Sequence, residues 1–370
     1  MKEIQQFKNN MLENGEKILS DEMKELVSGI GKQKRRPLGK FNVTQWAVEV
    51  TRGCNLRCGF CATRLFTPGK YNYMTIETWT SFMKIVAEVS PYNRVDMAQA
   101  GEPTLNPLLP DFLRIGRELS PHTFFEVITN GVTILDGSVK IDDLFEAGAN
   151  LIYIDMYAPK ERYIEKIKES GYDYYVRSEK KPEDPAAWTY HNDNTIKVVV
   201  LQESPGKWSE NKKRTINFST FFNNLDWKAA KPYGIEPVEE APQRRCSQPF
   251  RTVPVNWDGT FSFCCFDFMR YTVSKFSNVS EGVSGFLKYW FGEYMQITRK
   301  QLHWKNRREH KFCSKCVHIT SRADIPVWPD GATDYYIADN FSWHKNRVKI
   351  NKVKVEKKDK RNKYKLIGRD

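Results

Sequence analysis

Three cysteines stand close together in "CNLRCGFC", as Cys54, Cys58 and Cys61. Thiolates bind soft and borderline metals, and a closed structural zinc site takes four such ligands. Two CxxC knuckles would supply four. The spacing CxxxCxxC supplies three, and the next cysteine is Cys246. Three ligands leave one coordination position open, as catalytic metals do, unless they are part of a zinc site completed from elsewhere. A second group follows late in the chain: Cys246, Cys264, Cys265, Cys313 and Cys316, the last two in "CSKC".

The compartment decides how thiols are read. No apolar run reaches the length of a membrane span. The opening "MKEIQQFKNNMLENGEKIL" is too polar for a signal peptide. These features predict a soluble, cytoplasmic chain, where clustered cysteines mean metal rather than disulfides. The net charge is +13, and residues 345–370 carry twelve Lys and Arg against three Asp and Glu. Such a run meets nucleic acid or an acidic partner, or is simply a solvated terminus.

The elements that must position the thiols follow a rhythm. "WAVEV", "VDMAQA", "FFEVIT", "LIYIDMY" and "TIKVVVL" read as strands. Between them "TIETWTSFMKIVAEVS", "LLPDFLRIGRELS", "IDDLFEAGA" and "KERYIEKIKES" read as helices. Alternation of this kind predicts βα units around a parallel sheet, as a full or partial barrel rather than a flat sheet. Sites on such sheets gather at the C-terminal strand ends. "CNLRCGFC" follows the first strand, "AGEPT" the second and "TNG" the third. After about residue 225 the rhythm breaks. "FRTVPVNWDGTFSFCCFD" predicts a hairpin turning near Asp258 and Gly259, followed by a helix in "SGFLKYWFGEYMQITRKQL". The division expected is a helical extension and basic linker over 1–42, a core over 43–225, a small cysteine-bearing domain over 226–320, and an extension with a basic tail over 321–370.

CxxxCxxC with an aromatic, Phe60, before its last cysteine resembles the signature of the radical SAM superfamily. "AGEPTLNPLLPDF" looks like its GGEP-type segment, and "ITNG" and "LIYIDMYA" like its later strand ends. The resemblance implies an α/β fold, a partial (β/α)6 barrel, with a 4Fe-4S cluster on Cys54, Cys58 and Cys61. In that family the fourth iron position is chelated by S-adenosylmethionine. Reductive cleavage then gives a 5′-deoxyadenosyl radical that abstracts hydrogen from substrate. The resemblance further places Phe60 near the adenine, Gly101 and Glu102 beside the methionine moiety, Asp155 near the ribose, and Thr129 and Asn130 on the same rim. It also implies an external one-electron donor such as flavodoxin or ferredoxin. Ala100 stands where the family's usual second glycine would be.

The late cysteines resemble the opening of a SPASM or twitch domain: a cysteine, a hairpin, then Gly259 and Cys264 spaced as Gly-x-x-x-x-Cys. The full SPASM pattern has further cysteines after its CxxC and holds two auxiliary clusters; this sequence has none after Cys316, so the expectation is one auxiliary 4Fe-4S cluster, on Cys246, Cys264, Cys313 and Cys316. A four-cysteine zinc site is the alternative for the same residues. Cys265 stands where sulfatase-maturing relatives place a catalytic Asp, with Asp267 two residues on. Either is a candidate acid or base, and a plain buried cysteine is the alternative for Cys265.

A complete auxiliary set favours oxidation of a small-molecule or peptide substrate over redox-neutral rearrangement or epimerisation. The segment before the barrel is short for a leader-binding domain, which weakens a peptide substrate. Outside enzymes, the alternative is a non-catalytic iron–sulfur or zinc protein with a nucleic-acid-binding tail.

Overall fold

The computed structural model describes residues 43, 45–58, 61, 63, 70–176, 197–203, 246, 248–268, 270–303, 310 and 312–314. Phe60, Cys316, the extension over 1–42 and the basic tail lie outside the described residues.

The strands in chain order are β1 (Gln45–Val48), β2 (Thr51–Arg52), β3 (Asn72–Tyr73), β4 (Arg94–Met97), β5 (Phe124–Thr129), β6 (Leu151–Met156), β7 (Asp173–Val176), β8 (Val198–Glu203), β9 (Thr252–Val255), β10 (Thr260–Ser262) and β11 (Val273–Asn278). The helices are α1 (Ile76–Val89), α2 (Leu109–Leu119), α3 (Val132–Leu135), α4 (Ile141–Ala147), α5 (Lys160–Ser170), α6 (Gln248–Arg251), α7 (Gly282–Phe291) and α8 (Glu293–His303). Among the described residues one nine-stranded sheet runs β11-β10-β9-β1-β4-β5-β6-β8-β7. Each pairing from β9 to β7 is parallel. β10 and β11 add an antiparallel meander at the β9 edge.

The five strands expected from sequence are all present, and the four expected helices match α1, α2, α4 and α5. The expected hairpin is β9–β10, with Gly259 at φ +79° in its turn. Two features differ. β7, from "DYYV", carries no clear alternation, and β8 inserts between β6 and β7. The single helix expected after the hairpin is two, α7 and α8, because the chain leaves helical geometry at Gly292 (ψ 154°).

The two faces of the sheet differ chemically, since side chains alternate along a strand. Trp46, Val48, Val95, Met97, Phe125, Val127, Ile152 and Ile154 are essentially inaccessible and join the helix-side core. Trp46 packs edge-on against Phe82 of α1, its centroid 5.4 Å away, and donates its indole N–H to Ser90 Oγ at 2.7 Å. Trp79 stacks on Phe112 of α2 at 5.0 Å and donates to the Phe112 carbonyl. Each indole thus buries a large apolar body with its one donor satisfied. On the opposite face the alternate positions carry Gln45, Glu49, Arg94, Asp96 and Glu126, with an apolar patch of Phe124, Leu151, Tyr153, Val198 and Val200 further along.

One close approach fixes the strand ends. A bridge joins Gly53 to Gly101; Gly53 N–H donates to the Ala100 carbonyl at 3.2 Å, and Glu102 N–H to the Gly53 carbonyl at 2.8 Å. A Cβ at position 101 would lie 1.8 Å from the Thr51 carbonyl oxygen. Gly101→Ala must therefore push these backbones apart. The expected cost is about 4 kcal/mol or more, read as a large fall in Tm. Gly137→Ala, where a Cβ meets nothing within 4 Å, should cost only the strain of its positive φ, about 1 kcal/mol.

Candidate active site

β1 delivers the chain to the thiol loop, and the β2–β3 ribbon, with Thr51 paired to Tyr73, brackets both ends of that loop. Buried Asn106 tightens the bracket by donating to the Val50 carbonyl at 2.9 Å. On the other side of the loop's base, Glu49 accepts from Arg52 at 2.9 Å and from Trp257 N–H at 3.2 Å, while Arg52 also donates to the Phe268 carbonyl at 2.9 Å. The base of the thiol loop is thus tied to the segment that follows β9.

The three loop thiols face a common space. Cys61 interacts electrostatically with both Cys54 and Cys58, and Cys61 N–H donates to the Cys58 carbonyl at 3.0 Å. Among the described residues no three Cys, His, Asp or Glu side chains converge tightly enough to grip a single metal ion. A four-iron cluster is ligated by more widely spaced thiolates than one ion is, and three thiols are the donor set for one with an open iron. Burial pushes the Cys54 thiol up to about 12, with the charges of Glu102 and Cys61 adding to the rise. Burial also raises the Cys58 and Cys61 thiols. Such thiols give up their protons when a metal supplies the compensating charge. The donor set fits the cluster.

Glu102 is buried and takes four donors. Thr104 N–H (3.0 Å), Thr104 Oγ1 (2.7 Å) and Thr129 Oγ1 (2.6 Å) reach Oε1, and Asn130 N–H (2.7 Å) reaches Oε2. Burial raises this carboxyl and the four donors pull it back. Its carboxylate therefore braces the β4 end to the β5 end. Thr129 is used in that brace, and Asn130 reaches over to Cys54 and Asn55. Asp155, at the end of β6, accepts from Gln202 of β8 at 3.1 Å, and Gln202 also accepts from the Tyr153 hydroxyl. Asp155 lies near enough to Cys58 to feel its charge, and the Tyr157 side chain hydrogen-bonds Cys58. The residues expected at the rim from β4, β5 and β6 thus meet around the thiol loop.

Of the second cysteine group, Cys246, Cys264, Cys265 and Cys313 are described, and the residues beside Cys264 and Cys313 pack together. Phe263, just before Cys264, packs edge-on against Phe312, just before Cys313, at 5.5 Å, and against His310 at 5.2 Å. Cys246 interacts with Cys265. β10 ends at Ser262, so Cys264 and Cys265 lie in the turn beyond it. Strand alternation, which would have sent the two to opposite faces, does not apply there. Cys265 instead sits with Cys246, Asp96 and Arg251, and burial lifts its thiol to about 12. Asp267 is committed locally: its carboxylate accepts from Tyr271 N–H at 2.9 Å and Thr272 N–H at 2.5 Å, closing the turn before β11.

Sequence reasoning did not single out the polar inner face beside Cys265. Arg94 Nε contacts Asp96 at 2.5 Å and Glu126 at 3.5 Å, and Gln45 donates to Asp96 at 2.5 Å. The signal was available: Glu49, Asp96 and Glu126 interrupt otherwise apolar strands.

Comparison with known proteins agrees with this geometry. Residues 48–179 match the radical SAM superfamily, and residues 246–317 match SPASM, an iron-sulfur cluster-binding domain. The chain is a radical SAM enzyme with a C-terminal SPASM domain. It therefore carries 4Fe-4S clusters and uses S-adenosylmethionine as cofactor. No curated protein matches the chain. Among solved structures, BtrN in complex with AdoMet and 2-DOIA aligns with a TM-score of 0.51 and 17% identity, covering 75% of this chain and 94% of that one. Native anSMEcpe with bound AdoMet aligns at 0.40 and 17%, covering 81% and 96%. Streptococcus suis SuiB bound to precursor peptide SuiA aligns at 0.37 and 14%, covering 77% and 76%. The BtrN likeness supports the partial-barrel radical SAM fold with its auxiliary domain. No helix among the described residues is long and apolar enough to cross a membrane.

Glu102→Gln in this radical SAM protein replaces an acceptor oxygen with an amide that opposes at least one of four donors. The expected loss is about 2–4 kcal/mol of stability, measured by thermal denaturation. Glu102→Asp, which keeps the acceptor but shortens its reach, should lose less.

Proposed function

We propose that this enzyme oxidises a polar substrate held on the inner face of the parallel sheet, between the loop of Cys54, Cys58 and Cys61 and the auxiliary cysteines. The observation that carries the reading is the parallel pairing of β1 with β9. β1 leads into the thiol loop, and β9 is flanked in sequence by Cys246 on one side and Cys264 and Cys265 on the other. The segments that carry the two cysteine groups are therefore attached to neighbouring strands of one sheet, which supports a shared site.

When bound there, the cluster and S-adenosylmethionine would supply radical chemistry able to remove a hydrogen atom from the substrate. Cys54, Cys58 and Cys61 hold the open cluster, and Gly101 admits the backbone approach that sets the rim beside it. Asp155, held by Gln202, offers a carboxylate on the ribose side. Oxidation then requires the substrate to lose one electron and one proton. Cys246, Cys264, Cys313 and Cys316 would hold the auxiliary cluster, which would supply an acceptor for that electron. The polar inner face around Arg94, Asp96, Glu126 and Cys265 is where the proton leaves. The substrate is a small polar molecule or a peptide side chain, and an external flavodoxin- or ferredoxin-like protein reduces the open cluster. The chain works in the cytoplasm.

Anaerobically reconstituted protein should hold about eight irons, and changing Cys54, Cys58 and Cys61 together to Ala should leave about four. Wild type should release 5′-deoxyadenosine from S-adenosylmethionine under dithionite, and the triple variant should not. Retention of about eight irons in that variant would remove the open-site assignment. Cys265→Ser should keep about eight irons because the four auxiliary ligands remain. Loss of the auxiliary cluster in Cys265→Ser, with retention in Cys264→Ser, would exchange the two residues' roles.

A further inference from the structure

Asn130 makes a set of contacts that the rim role expected of it does not require. Its backbone N–H donates to Glu102 Oε2 at 2.7 Å. Its side-chain Oδ1 accepts from Val132 N–H at 3.0 Å. That contact fixes which end of the amide is which, because an NH2 group there would oppose the Val132 donor. The two Nδ2 hydrogens therefore point the other way, where Nδ2 lies 2.8 Å from Asn55 Oδ1 and 3.4 Å from Cys54 Sγ. Both donors are used, and one of them is aimed at a sulfur. Leu56 N–H donates to the same sulfur at 3.3 Å. Cys58 and Cys61 each meet a side-chain hydroxyl instead: Tyr157 for Cys58, and Thr63 at 3.0 Å for Cys61.

Two N–H donors on one thiolate withdraw electron density from it. They stabilise the reduced, more negative cluster over the oxidised one, and so raise the reduction potential. We propose that Asn130 is a positioning residue whose side-chain N–H tunes the reduction potential of the open cluster through Cys54, while its backbone hands the position of the Glu102 brace to that same sulfur. This rests on Cys54 being a ligand of the open cluster. The balance the residue sets is a practical one. A higher potential makes the cluster easier for an external donor to reduce, and a lower one makes it a stronger reductant toward the cofactor.

The test is an EPR-monitored redox titration of the holoenzyme with both clusters loaded, following the signal that changes when S-adenosylmethionine is added. Asn130→Ala removes the donor. Asn130→Asp keeps an acceptor for Val132 N–H but turns an oxygen toward the sulfur. Both should retain about eight irons and shift the midpoint potential downward, Asp further than Ala. Asn55→Ala, which leaves the Asn130–Cys54 contact in place, should shift it much less. An unchanged midpoint in both Asn130 variants overturns the proposal. So does an equal shift in Asn55→Ala, and so does loss of the S-adenosylmethionine-sensitive signal from both Asn130 variants, which would make the residue a structural support of the loop. Cys54→Ala is the separate control: if that signal survives it, the ligand assignment fails, independently of what Asn130 does.

Discussion

The Thr51 carbonyl oxygen lies 1.8 Å from where a Cβ would stand on residue 101, and the rest of the site hangs from that approach. Only glycine allows it. Because the backbones meet there, Gly53 N–H can reach the Ala100 carbonyl and Glu102 N–H can reach the Gly53 carbonyl across the gap, and the residue after Gly53 is Cys54. The first thiol of the loop therefore follows a residue held by main-chain contacts on both its N–H and its carbonyl, with no reliance on a side chain. The Ala100 carbonyl can serve in this exchange because a carbonyl is the same on alanine as on glycine, so the departure from a double glycine costs nothing at that bond.

Glu102 then spreads the constraint sideways. A buried carboxylate with four donors is costly to move, since any displacement leaves charged acceptor sites unsatisfied. Its donors come from the turn after β4 and from the end of β5, so the strand ends are locked in register just where side chains must converge. Resemblance puts this residue beside the methionine moiety. Its geometry shows that most of its hydrogen-bonding capacity already serves the protein, and that Asn130 is the group it presents to the thiol loop.

The parallel core was legible in the sequence because its strands are short, β-rich and separated by helices with clear apolar periodicity. α1 and α5 match their sequence readings to within a residue at each end. The place of the thiol loop, after the first strand and beside the "AGEPT" turn, was legible from the cysteine spacing joined to the strand rhythm. Three things were not. The insertion of β8 between β6 and β7 is a matter of topology, which periodicity does not encode. The pairing of β9 with β1 joins segments far apart in the chain, and nothing local in "TVPV" says that it completes the edge of the first strand. The surroundings of Asp267 and Cys265 are set by a turn: a strand would have sorted Cys264 from Cys265 by alternation, but β10 stops two residues before Cys264.

The β1–β9 pairing also has a consequence in time. Gln45 and Thr252, partners in the sheet, are 207 residues apart. At about 5–20 residues per second of synthesis, β1 and the thiol loop leave the ribosome roughly 10–40 s before the strand that covers their edge. During that interval β1 can pair with β4 on one side only. Its other edge, with Trp46 and Val48 on the helix side, is an open template for other chains. The loop of Cys54, Cys58 and Cys61 is likewise exposed on the side that the segment after β9 later ties down through Glu49 and Arg52. Closure of the edge and closure of the loop's base are thus one late event in the life of the nascent chain, and cluster delivery has its easiest access before it.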